Sequence, residues 1–418
     1  MPDIKILVIQ ICVILIASFS IGWLLSKFHQ PQVVSEMVAG ILLGPSLLGW
    51  VAPNLSAAIF PQQSLSLIYA LSQIGLMLFM FMVGLELDTK QLRRLGRTAV
   101  VISHTSIIVP FILGALLAFY LYPRLADESV PFMGFMLFMG AAMSVTAFPV
   151  LARILTERNM LGTRLGTLTI TCAAVDDVTA WCILAAIIAI VRAKLNHLTP
   201  WEMLVGLALY LSVMIFVVRP LVKSLVGRRA DAEVSDKVLA VLLLCMLASS
   251  WATEWLGIHA LFGAFFAGVM MPEGCAEDVR KKLRPLVVVL LIPLFFAFTG
   301  LRTSIGLISG SPVMIFYCSL IFVVAVAGKF GGSTVAARIM GTPWREASAI
   351  GLLMNTRGLV ELVMLNIGLE IGVLTKPLFS MMVVMAVGTT LMTTPLLSWF
   401  YGREKEQTLP HGLESVGD

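Results

Sequence analysis

Apolar runs of about 20 residues, the length a helix needs to cross a bilayer, recur along the whole chain between short polar stretches. Thirteen runs can be drawn: 4–25, 31–49, 65–87, 97–122, 131–156, 163–191, 200–223, 236–256, 258–271, 282–300, 311–338, 345–370 and 376–400. The second and ninth are short and rich in glycine. The pattern predicts an all-α polytopic membrane protein with about thirteen transmembrane helices. The first run is longer than a secretory leader core and carries no A-x-A cleavage site, so it reads as a span. Residues 401–418 read as a short cytoplasmic tail, with no soluble regulatory domain expected.

Composition agrees. The chain is 59% hydrophobic and 13% charged, against about 25% charged in soluble domains. Its net charge of +5 does not point to nucleic acid, because the basic residues sit in short clusters between spans, where they set topology. Of 29 Lys and Arg, 21 fall in one set of alternate loops and the C-terminus, 6 in the other set, and Lys329 and Arg357 inside spans. That bias predicts an N-terminus outside and a C-terminus in the cytoplasm of an energised membrane, such as the bacterial inner membrane.

The spans also repeat. FMVGLELD (81–88) is matched by AFTGLRTS (297–304), MVAGILLGPS (37–46) by LFGAFFAGVM (261–270), and MSVTAFPVLARIL (143–155) by MNTRGLVELVML (354–365). Seven helices separate each pair, so the copies face opposite ways. This is the inverted repeat of secondary transporters. It divides a transmembrane domain over 1–400 into repeat A (4–191), a linker helix (200–223) and repeat B (236–400).

Candidate chemistry lies inside the membrane. Asp176 and Asp177 fall near the middle of an apolar run, where one carboxylate already costs about 2.5–3.5 kcal/mol. Such a site holds a cation, a proton, or each in turn. Adjacent helix residues point about 100° apart, so the two aspartates are expected to divide the work. One meets Lys329, whose stem can return its ammonium to the same depth, and the other faces the ion path. SVTAFP (144–149) and NTRG (355–358) interrupt the fifth and twelfth spans. Polar backbone at that depth must line a cavity or pack on protein. If the breaks cross, Ser144 and Thr146 offer oxygen ligands for Na⁺ or K⁺ beside Asp177. Asn355, Thr356, Arg357, Glu361 and Glu36 are expected to be structural or gating residues, with Glu361 or Glu36 as partner of Arg357. Glu86 and Asp88 close the third span as interfacial groups. The six cysteines show no CxxC, and the five histidines no metal-ligand spacing. His104 and His259 are expected to be satisfied locally rather than to line a path.

SVTAFPVLARIL, the aspartate pair in AAVDDVTAW, Lys329 and LLMNTRGLVELVMLNIG together resemble the second monovalent cation:proton antiporter family, over nearly the whole chain. The likeness is closest to plant cation/proton exchangers and their bacterial relatives. It implies a six-helix core with crossed, broken helices that moves as an elevator against a dimerisation domain. It implies that Asp177 is the essential ion- and proton-binding carboxylate and that Asp176 pairs with Lys329. Two aspartates with a lysine resemble the electrogenic members, and the lack of a nucleotide-binding domain differs from relatives gated by glutathione. The expected function is secondary active exchange of Na⁺ or K⁺ for H⁺ by a homodimer, without enzymatic chemistry or cofactor. A sodium-coupled symporter for an organic solute, a component of a K⁺ efflux system and a cation channel are the alternatives. The sequence does not choose between Na⁺ and K⁺.

Overall fold

A backbone in hydrocarbon must satisfy its own hydrogen bonds, and helices do this within one segment. A computed structural model of the protein describes residues 4–28, 30–86, 97–128, 130–158, 160, 163–192, 200–226, 234–257 and 259–401. Eleven of its helical segments are long and apolar enough to cross a membrane unaided, a twelfth is a pair of half-helices bent by 42°, and a short apolar helix, Ala260–Met270, completes the series. Each coincides with one predicted run.

We number them by span. α1 is Ile4–Ser26, α2 starts with Gln32–Leu43, α3 is Leu65–Glu86 and α4 is Arg97–Leu125. α5 is broken into α5a, Phe132–Ser144, and α5b, Phe148–Glu157. α6 is Arg164–Arg192. α7 runs from Pro200–Val213 through a π-bulge, Met214–Val218, into Arg219–Val226. α8 is Asp236–Trp255 and α9 is Ala260–Met270. α10 joins Glu273–Arg284 to Ile292–Arg302 through a second bulge, and α11 joins Pro312–Val326 to Gly332–Ile339 through a third, Ala327–Gly331. α12 is broken into α12a, Trp344–Met354, and α12b, Leu359–Glu370; α13 is Lys376–Tyr401.

Two groups of helices result. α1, α2, α3, α8, α9 and α10 pack on one another as a scaffold; α4, α5, α6, α11, α12 and α13 pack as a core bundle. Glycines set the scaffold's two tightest crossings. A Cβ on Gly84 of α3 would lie 2.2 Å from the Phe265 carbonyl of α9, and one on Gly268 would lie 2.2 Å from that of Phe81. The same crossing recurs where α10 meets α2: a Cβ on Gly44 would lie 2.2 Å from the Gly300 carbonyl. Gly84 and Gly300 occupy matching places in the sequence repeat, as do Gly268 and Gly44, so the inverted repeat is present in the packing. Gly300→Ala is expected to force α2 and α10 apart, because its Cβ would fall 1.9 Å from the Gly40 carbonyl carbon. Overpacking of this kind costs about 1–3 kcal/mol. A thermal midpoint in detergent equal to wild type would contradict it.

Polar contacts join scaffold and core at both ends of the bundle. At one end Arg302 of α10 donates to Glu370 (3.1 Å) and Asn366 (3.2 Å) of α12b, and Tyr69 of α3 donates to Glu370 (3.4 Å). At the other, Arg153 of α5b donates to Gln32 (3.3 Å), Gln30 donates to the Leu391 carbonyl of α13 (3.0 Å), and buried Glu36 sits beside Gln32 and Arg153. Glu36 therefore partners α5b rather than Arg357, whose two Nη groups bond Glu361 and the α5a carbonyls. Glu86 pairs with Arg280 at 2.9 Å. His104 bonds the Val100 carbonyl of its own helix, and His259 caps α9. Asp88, His29, His197, His411, residues 402–418 and the loop cations Lys90, Arg93, Arg94, Lys194, Arg228, Arg229, Arg403 and Lys405 lie outside the described residues.

Candidate functional site

The break in α5 leaves four helix-end carbonyls without an intrahelical backbone donor, at Ala141, Ala142, Met143 and Ser144. Each finds a side-chain donor. The Ser144 hydroxyl donates to Ala141 O (2.8 Å), Arg357 Nη1 to Ala142 O (2.8 Å), Arg357 Nη2 to Met143 O (2.7 Å) and Lys329 Nζ to Ser144 O (2.5 Å). Two buried cations thus close the negative end of α5a, where the helix dipole favours them. The end of α12a is closed differently. Its carbonyls take the Asn355 and Thr356 amides and the hydroxyls of Thr356 and Thr393, and Thr146 Oγ1 lies 3.0 Å from Met354 O, its one proton shared between that carbonyl and Asp176. The Ala147 amide donates to the Thr356 carbonyl (3.0 Å), so the two interruptions cross in contact. Gly358 keeps that contact close, since a Cβ there would lie 2.5 Å from Val150 Cγ2.

α6 brings the aspartates to this crossing. Asp176 Oδ2 accepts from Lys329 Nζ (2.8 Å), Ser106 Oγ (2.7 Å) and Thr146 Oγ1 (2.9 Å), and Oδ1 accepts from Ser103 Oγ (3.1 Å). Lys329 spends its remaining donor on the Ser106 carbonyl (2.8 Å). The ammonium and the carboxylate are both fully buried and both saturated, the condition under which a buried ion pair is tolerable. Lys329 lies in the π-bulge of α11, and the bulge is set against α4: a Cβ on Gly328 would meet Pro110 at 2.9 Å. Gly331 has open space around it and plays no part in this packing.

Asp177 differs in every respect but depth. It is 2% exposed, yet among the described residues no group is within hydrogen-bond geometry of either carboxylate oxygen. The donor beside it is the backbone N–H of Phe148, in the first turn of α5b. An ionised carboxylate without a partner is very costly in such surroundings, and a proton or a bound cation removes that cost.

The other expected residues are close by. Arg357 and Glu361 form a fully buried pair at 2.9 Å. Asn355 is fully buried with neither amide atom bonded, and the Thr356 hydroxyl turns back to Leu353 O at 2.7 Å. The Ser144 hydroxyl is committed to its own helix, so what it gives the site is its carbonyl. Ser103 and Ser106 are not among the residues expected from the sequence. Their spacing of three on apolar α4 puts both on one face, and that signal was available. Nor is Thr390 among the expected residues; its hydroxyl accepts from the Arg357 amide (2.9 Å) and donates to the Arg357 carbonyl (2.7 Å).

The profile of the family described as "Sodium/hydrogen exchanger, transmembrane" matches residues 14–400. The chain belongs to the sodium/hydrogen exchanger family. This exchanger is 42% identical over 385 residues to Na(+)/H(+) antiporter NhaS4 of Synechocystis sp., covering 91% of this chain and 93% of that one. It is 41% identical over 409 residues to Cation/H(+) antiporter 17 of Arabidopsis thaliana and 32% identical over 403 residues to K(+)/H(+) antiporter 1 of Saccharomyces cerevisiae. Those alignments cover 96% and 94% of this chain but 49% and 46% of the plant and yeast proteins, so the exchanger spans about half their length. In fold it resembles the sodium proton antiporter MjNhaP1 of Methanocaldococcus jannaschii. The TM-score is 0.67 at 14% identity, covering 97% of this chain and all of the other. The exchanger is an integral membrane cation/proton antiporter.

Proposed function

We propose that this antiporter exchanges Na⁺ or K⁺ for H⁺ by letting the two compete for Asp177. The observation that carries the proposal is the contrast within one pair: Asp176 is saturated by four donors, while Asp177, equally buried, is bonded by none. Asp177 is the group free to take a proton or a cation, and Lys329 holds Asp176 out of that competition. The hydroxyl of Thr146 and the unbonded amide oxygen of Asn355 are the further oxygens assigned to the cation, with the carbonyl end of α12a behind them. Ser144 and Thr356 hold the two breaks, and Arg357 and Glu361 fix their crossing. Na⁺ is the first cation to expect, since the relative matched over 93% of its length is named a Na⁺/H⁺ antiporter.

Purified protein in liposomes with an imposed pH gradient tests this. Addition of Na⁺, K⁺ and Li⁺ in turn, read with a pH-sensitive dye, is expected to collapse the gradient with at least one of them. If no cation does so with folded protein, the exchange proposal fails. Net charge movement, expected because two aspartates and a lysine share the site, is read in the same vesicles as a dependence on membrane potential.

The carrier cycle we propose is an elevator. The core carries the loaded carboxylate past a scaffold that is held in a homodimer, with the N-terminus outside and the C-terminus in the cytoplasm of an energised membrane. Repeat A (4–191) and repeat B (236–400), joined by the linker helix at 200–223, are the proposed units of the transmembrane domain over 1–400. A cross-link between core and scaffold tests the movement. The Ser304 amide, just past α10, donates to Ser380 Oγ of α13 at 3.0 Å. Oxidised Ser304→Cys/Ser380→Cys protein is expected to lose exchange and to regain it on reduction. Undiminished exchange by the fully cross-linked protein would rule the elevator out.

A further inference from the structure

One cleft of the molecule is lined by none of the residues of the aspartate site. It lies between the last turns of α3 and α9 and the second half of α7, and its volume is about 660 Å³. Its walls are apolar, formed by Leu85, Ile215, Phe216 and Met270 among others, with Arg219 and Lys223 at its edge. These two cations are four residues apart, on one side of a helix. Both are exposed, and neither is paired with a carboxylate among the described residues. α7 is also the most loosely packed of the later spans. Only 17% of its apolar window is buried, and Phe216, Val217 and Leu221 are 75%, 56% and 57% exposed. The π-bulge Met214–Val218 contributes Ile215 and Phe216 to the lining.

We infer that this cleft binds one anionic phospholipid, with its phosphate between Arg219 and Lys223 and an acyl chain along Ile215 and Phe216. An open apolar cleft within a bilayer is filled by lipid tails, because neither water nor an empty space is favourable there. The two cations at the rim then select the headgroup by charge, as basic pockets between transmembrane helices do on the cytoplasmic side. The positive-inside pattern puts this end of α7 on that side. Arginine adds a two-pronged hydrogen bond to phosphate that a lysine alone lacks. The occupant is a lipid rather than free phosphate, since the apolar walls would otherwise stay unfilled. Because α7 connects the two repeats, the lipid fills the space that their connection leaves.

Delipidated protein in a neutral detergent provides the test. Its thermal midpoint is measured with phosphatidylglycerol, phosphatidylcholine or inorganic phosphate added, for wild type and for Arg219→Gln/Lys223→Gln. Phosphatidylglycerol is expected to raise the wild-type midpoint more than phosphatidylcholine does, and inorganic phosphate not to raise it. The double variant should lose at least half of the phosphatidylglycerol-specific rise and keep the wild-type midpoint without lipid. Native mass spectrometry gives a second measure: wild type should retain a phosphatidylglycerol adduct that the variant has lost at the same activation energy. Equal rises in variant and wild type, equal rises with the two lipids, or a full response to inorganic phosphate would each overturn the inference. The variant touches no residue of the exchange site, so exchange in phosphatidylcholine vesicles should be unchanged whether or not the competition at Asp177 is correct.

Discussion

Asp177→Asn protein is expected to fold normally and to show no cation-driven proton movement above that of protein-free vesicles. Asparagine keeps the shape of aspartate and removes the charge for which proton and cation compete. The fold has little stake in the lost charge, because among the described residues neither oxygen of Asp177 makes a hydrogen bond. The thermal midpoint should therefore equal or exceed that of wild type. Asp176→Asn makes the contrast. That carboxylate accepts from Lys329, Ser103, Ser106 and Thr146. Neutralising it leaves a fully buried ammonium without a counter-charge, at a cost of about 3–5 kcal/mol. Exchange should fail in both variants and stability in one. Retention of wild-type exchange by Asp177→Asn would sink the competition mechanism, and equal instability of the two would show that the aspartates do not divide their roles.

Arg357→Met should be among the most damaging single changes outside the aspartate pair. The guanidinium joins three things at once: the Glu361 carboxylate and the carbonyls of Ala142 and Met143. Its loss strands a buried carboxylate, for about 3–5 kcal/mol. It also leaves two helix-end carbonyls bare, each worth about 1–3 kcal/mol when buried. Little folded protein should be recovered from membranes. Arg357→Met/Glu361→Leu removes the stranded charge while leaving the bare carbonyls, so it should recover part of the loss and not all of it. A single variant with less than about 1 kcal/mol of destabilisation, the size of a surface pair, would show that the pair is not structural.

Much of this was legible in the chain. The length of each apolar run fixed the span count, because a bilayer imposes one length on every helix. Lys329 and Arg357 stood out because a charge inside a run is rare enough to need a partner. The two interruptions were visible as polar residues, with a proline in one and a glycine in the other. The sequence did not reveal which polar residues face each other. Glu361, four residues on, was the first partner for Arg357 on paper and Glu36 a second. Choosing between them needed the Gly44–Gly300 crossing, which holds α2 against α10 while α2 meets α5b through Glu36 and Gln32. Ser103 and Ser106 were lost among many hydroxyls, since serine in a membrane helix usually bonds its own backbone. The carbonyl caps of α5a were beyond reach for another reason. They depend on which backbone oxygens are left over at a break, and a side-chain pattern carries no record of that.

Those caps bear on the order in which the protein is made. Three of the four come from partners 185, 214 and 215 positions further along the chain. A ribosome that has just released the linker helix has delivered α5a with its last carbonyls unanswered, and they stay so until α11 and α12 have been synthesised. The first half of the chain can enter the membrane by itself but cannot finish assembling there. The two repeats are therefore a single unit of biogenesis, and fragments that end after α7 should be substrates for membrane quality control rather than half-transporters.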